Sequence, residues 1–244
     1  MPEIAKLLEV AFAAAAKVDE FIVRAAVSDN GESRVGASLF LSISEQFAAT
    51  VDLIADGHSS QAPILVRSML EGMANLVCLA LDPAYLDQIR YEDVRSNAIL
   101  FAEYMAVPDM DAEAIQTLQE WSDKAVPLRR EFEAKGFKAQ DAISKFKQAG
   151  ITENYVAYRV FCSFAHNQLT TLISRHAGLA NLNYKAEAPL VLTKGILSVA
   201  MSILCRSMLS LPKFTNLAED ELKAIADEID AKWAAATSEP EAGT

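Results

Sequence analysis

Residues 62–81 read APILVRSMLEGMANLVCLAL. Almost every position is apolar, so no face of this segment belongs in water, which is the pattern of a helix buried on all sides. Pro63 falls in the first turn, where the missing N–H has no intrahelical partner to lose, and Pro83 bars continuation beyond the end. Arg67 and Glu71 nevertheless stand in the middle, four residues apart and therefore on one face. Burying both charges costs several kcal/mol each, as an order of magnitude, unless they meet each other and further hydrogen-bond partners.

Helical periodicity continues on both sides of this segment. Upstream, Ile4, Leu7, Leu8, Ala11 and Phe12 fall at spacings of three and four, and the run stops at Ser28-Asp29-Asn30-Gly31. A second helix over about 33–56 carries Leu39, Ile43, Phe47 and Val51 in one stripe, with Gly57 placed as a C-terminal cap. Downstream, the pattern predicts helices over about 83–105, 111–135 with a kink or break at Pro127, and 139–148. Thr152 is an N-cap candidate for a long helix to about Leu179, followed by helices over about 188–211 and 217–236. No stretch alternates apolar and polar residues with period two for long enough to make a strand. The fold class expected is therefore all-α, an antiparallel multi-helix bundle of eight or nine helices. It is expected to form a single domain over 1–236, with a disordered tail at 237–244.

Composition agrees with a packed core: 52% of the 244 residues are hydrophobic and 23% charged. The net charge of −11 is concentrated at the end, since residues 216–244 hold eight acids and two lysines while the preceding 215 residues carry only −5. A general electrostatic grip on nucleic acid, DNA included, or on an anionic membrane is thereby disfavoured. Residues 122–147 run the other way, with seven basic residues against four acids. The N-terminus lacks a basic region ahead of its apolar residues, and Lys194 and Arg206 interrupt the most apolar later segment, so a cytoplasmic location without membrane contact is expected. Cys78, Cys162 and Cys205 sit in apolar runs without C-x-x-C spacing and read as buried reduced thiols.

The long helix after Thr152 carries NYVAYRVFCSFAHNQLTTLISRH. Arg159 and His166 are seven apart, about 20° apart around a helix axis, and Tyr155, Ser163 and Thr170 extend the same stripe. A histidine can carry a proton near neutral pH, and an arginine beside it can stabilise developing negative charge. Arg159 and His166 are thus the candidate catalytic pair, with Arg67, Glu71, Tyr155 and Ser163 in support. His58, in the loop DGHSS, reads as an ordinary loop residue, His176 as a partner of a helix C-terminus, and Trp121 and Trp233 as packing residues. Zinc-binding Cys/His spacing, H-E-x-x-H, phosphate-binding glycine loops and G-x-S-x-G are all missing from the sequence, so no metal and no cofactor is expected.

These landmarks carry a resemblance. The Leu-x-Arg-Ser-x-x-Glu helix in GHSSQAPILVRSMLEGMANLVCLALDP, followed by a helix with Ser163 and His166 in the pattern S-x-x-H, resembles a family of uncharacterised bacterial helical proteins over about residues 35–180. That likeness implies a fold and a candidate site. More loosely, Arg159 with six residues before His166 is similar to the motif of HEPN domains, helical bundles that are often dimeric and in many cases metal-independent endoribonucleases or toxin components. Position 160 is Val, where that motif usually has a polar residue. The HEPN likeness implies a homodimer and RNA as substrate, with residues 122–147 as the footing for the phosphate backbone. Two other readings compete with it. One is a non-catalytic binding or interaction module locked by an Arg67–Glu71–His166 network; the other is a site for a small acidic ligand held by Arg67 or Arg159.

Overall fold

The computed structural model describes residues 2–177, 181–184 and 188–238. Among them are ten α-helices and no strand. Helix α1 (Pro2–Ile22) and α2 (Gly31–Ala55) flank the Ser28–Gly31 breaker, where Asn30 caps α2 by accepting the Ser33 N–H at 2.7 Å. A tight turn through Gly57, at φ +78°, returns the chain antiparallel into α3 (Ala62–Leu81). Helix α9 (Leu190–Met208) packs on both α2 and α3, and α1 and α10 (Glu219–Thr237) close the outer side. Three stretches, Gly31–Ala55, Ala62–Leu81 and Leu190–Lys213, are long and apolar enough to cross a membrane by length and composition. Here they pack on one another, and Phe40, Phe47, Met69, Leu70, Met73, Ile196 and Leu204 are almost wholly removed from solvent. One close approach depends on glycine: a Cβ on Gly36 of α2 would lie 2.4 Å from the Phe214 ring.

The remaining elements frame the other face of α3. Helices α4 (Tyr85–Met105) and α5 (Ala112–Ala134) form an antiparallel hairpin that packs chiefly on itself. Pro127 does not break α5; the helix is continuous through it, with only Ser122 and Phe132 buried. Trp121, expected as a packing residue, lies against Phe101 at 5.6 Å between ring centres yet stays half-exposed. The short α6 (Ala142–Gln148), capped by Asp141, and α7 (Tyr155–Ala165) then cross α3.

The long helix predicted from Thr152 is three pieces. Thr152–Asn154 form one 3₁₀ turn, α7 ends at Ala165, and α8 spans Leu169–His176, so the count exceeds the eight or nine expected. The break has a local cause. Asn167 adopts φ +48°, its N–H reaches the Phe164 carbonyl at 3.4 Å, and the Gln168 N–H reaches the Ser163 carbonyl at 3.0 Å. That pairing is a Schellman stop with asparagine in the left-handed position usually held by glycine. The expected end of this helix at Leu179, and all but the first two residues of the expected tail at 237–244, lie outside the described residues.

Candidate functional site

The two charges in α3 are drawn together by the chemistry that made them anomalous. The Arg67 guanidinium donates from Nη2 to Glu71 Oε1 at 2.9 Å and to the Tyr158 hydroxyl at 3.3 Å, and from Nε to Cys162 Sγ at 3.2 Å. Tyr158 in turn donates to the same Glu71 oxygen at 2.8 Å, and the guanidinium carbon lies 5.3 Å from the centre of its ring. Tyr158 and Cys162 are four apart on the face of α7 that meets α3, so one turn of each helix supplies the whole cluster. Burial pulls the Arg67 pKa down, but the bonds to Cys162 and Tyr158 and the charge of Glu71 outweigh it, and the net shift is upward. Burial, reinforced by the bond to Glu71, raises Tyr158 to about 12.

Glu71 and Tyr158 also line a cavity of about 290 Å³ between α3, α6 and α7, with Asn75, Gln140, Lys145 and Phe146. Tyr85 donates to Asn75 Oδ1 at 3.1 Å, the Lys145 ammonium is paired with Glu92, and Phe146 supports Tyr155 and Tyr158 through ring contacts at 6.0 and 5.4 Å. Each charge in this wall has a neutralising partner, and hydrogen-bonding groups converge on its space. Among the described residues, no group of three or more His, Cys, Asp or Glu side chains is placed to hold a metal ion.

The predicted residues therefore divide. Arg67 and Glu71 meet as expected. His166 does not join them: it is the exposed C-terminal cap of α7, and Tyr158 takes the place assigned to it. An acidic ligand held by Arg67 is likewise disfavoured, because Glu71 already neutralises its charge. Arg159 is exposed, with its pKa raised by neighbouring Tyr155. Ser163 is partly buried and serves the corner after α7, donating to the Val160 carbonyl at 2.6 Å and accepting from Thr171 at 2.9 Å. Tyr155 packs on Phe146 and Tyr158. Cys78 and Cys205 are buried, whereas Cys162 is partly exposed and accepts from Arg67. In 122–147, Arg129, Lys135 and Lys145 are paired with Glu133, Glu131 and Glu92, and Lys147 lies in the field of Asp141, which leaves Lys124, Arg130 and Lys138 as exposed cations without an ion pair among the described residues.

The sequence signal for Tyr158 and Cys162 was present: both lie on the apolar side of α7 with Phe161, at helical spacing. A family of unknown function, DUF5677, matches residues 33–184, and the chain belongs to that family. No curated protein and no solved structure matches the chain.

Proposed function

We propose that this member of the DUF5677 family is a helical binding module that takes a small neutral ligand of nucleobase size in the cavity between α3, α6 and α7. The observation that carries this reading is the fixing of Glu71 by Arg67 and Tyr158 on the cavity wall. A carboxylate held by two donors on one oxygen keeps its other oxygen as an oriented acceptor, and Oε2 has no protein partner among the described residues. Asn75 and Gln140 add amide donors and acceptors on the same wall. The volume of about 290 Å³ is near the lower bound of small-molecule sites, and the neutralised wall favours an uncharged guest with its own hydrogen-bond donors. The test is a melting curve with adenine, guanine, cytosine or uracil added singly. At least one is expected to raise the melting temperature of the wild type and to lose that effect in Asn75→Ala. No shift with any of the four, or equal shifts in the variant, would overturn the reading.

A second reading is favoured by one observation: Arg159 and His166 are both open to solvent on α7 and its cap. In this reading the domain is a metal-independent endoribonuclease acting as a homodimer. The RNA 2′-hydroxyl attacks the neighbouring phosphate and closes a 2′,3′-cyclic phosphate as the P–O5′ bond breaks; His166 takes the 2′-hydroxyl proton and returns it to the leaving 5′-oxygen, and Arg159 stabilises the charge on the phosphorane. The Arg67 cluster then serves only to seat α7. Metal-free cleavage of single-stranded RNA that disappears in His166→Ala supports this reading; equal cleavage by both proteins, or by neither, removes it.

A further inference from the structure

Two of the three histidines lie neither in the Arg67 cluster nor on the Arg159 stripe, yet the fold brings them together. His58, in the turn between α2 and α3, and His176, in the last turn of α8, line one cavity of about 240 Å³ with Ser60, Gln61, Arg175 and Tyr184. Among the described residues, no Asp or Glu lines it, in a chain whose net charge is −11. Arg175 donates to Ser60 Oγ at 3.4 Å, its Nε is buried with no hydrogen-bond partner, and it forms no ion pair among the described residues. A half-buried guanidinium without an anion is a costly arrangement in a folded protein. The His176 Nδ1 is 3.1 Å from the Asn183 carbonyl, the geometry of a donated N–H that turns Nε2 away as a free ring nitrogen. The cavity also adjoins the first turn of α3, whose dipole favours negative charge.

We infer that this cavity binds a phosphate group, free or as the monoester of a small molecule. A carboxylate offers two oxygens and no proton, whereas the guanidinium, the His58 ring and the Ser60 hydroxyl can donate and His176 Nε2 can accept, from the α2–α3 turn on one side and α8 on the other, which suits the three or four oxygens of a phosphate that keeps one proton. The space is sized for a headgroup with a small appendage and too small for a folded polymer. This site is distinct from the Glu71 cavity, and neither inference depends on the other.

The test is calorimetric titration of the full chain, at fixed ionic strength, with inorganic phosphate, ribose 5-phosphate and acetate. Phosphate or ribose 5-phosphate is expected to bind, and to bind at least tenfold more weakly in Arg175→Gln and in His58→Gln. His58 lies in a turn outside the helices, so that variant keeps the test valid if Arg175→Gln folds poorly. Tighter binding of ribose 5-phosphate identifies a monoester as the ligand, and equal or tighter binding of phosphate identifies the free anion. The inference falls if neither phosphate species binds the wild type, if acetate binds as tightly, or if both variants bind like the wild type.

Discussion

Arg67 and Arg175 pose the same physical problem, a guanidinium withdrawn from water, and the fold answers it in opposite ways. Arg67 is surrounded by Glu71, Tyr158 and Cys162, so its charge is spent on joining α3 to α7. Arg175 has one long bond to Ser60 and a buried, unpaired Nε, so its charge is left over. The difference teaches how to separate structure from recognition in a protein of unassigned activity. A charge that already has its counter-ion explains the fold, and one that lacks it asks for something from outside.

Substitutions can test this contrast, beginning with the largest effect. Phe146 is buried beneath the Arg67 cluster against Tyr155 and Tyr158, so Phe146→Ala should destabilise the chain by about 3–5 kcal/mol in a denaturant titration. Arg67→Ala comes next. The side chain of Glu71 is 43% exposed, so water recovers part of what the carboxylate loses, and a cost of about 2 kcal/mol is expected instead of the larger penalty of a sealed pair. Tyr158→Phe removes one hydroxyl that both donates and accepts, for about 1 kcal/mol. His166→Ala should leave stability within about 0.5 kcal/mol of wild type, and Arg175→Ala should leave it unchanged or slightly raised, since neither side chain completes a protein network and the Arg175 Nε is buried unpaired. A large loss in Arg175→Ala would erase the distinction between the two arginines.

Alkali offers a sharper probe of the same cluster. Tyr158 keeps its proton to about pH 12 in the folded chain, whereas an unfolded tyrosine releases it near 10. The folded state therefore binds more protons between these values. The stability this provides is complete below about pH 10 and is lost as pH rises toward 12. In Tyr158→Phe, the fall in melting temperature across that window should be shallower.

Much of the architecture was legible in the sequence because apolar spacing is a strong signal over long segments. The α3 helix was readable from its uniform greasiness, and the meeting of Arg67 with Glu71 followed from their four-residue separation. The partner on α7 was not, for a geometric reason. Helical spacing identifies which residues share a stripe but not which stripe faces a neighbour, and α7 turns Tyr158 and Cys162 toward α3 while Arg159 faces water. The corner at His166–Gln168 was missed because Asn167 sits within a continuous helical pattern and only its backbone angle reveals the stop. The cavity of His58 and Arg175 was beyond reach, since it joins residues 115 or more positions apart through that same corner.

The α4–α5 hairpin has a consequence for motion. It packs mostly on itself, and the acids between residues 100 and 123 form no ion pair among the described residues. Its opening therefore exposes little of the main core and relieves like-charge crowding, so this arm should unzip as a separate unit while α2, α3 and α9 stay closed. Backbone amides along the arm should trade their protons for deuterium well before those of α3, and added salt should slow that exchange.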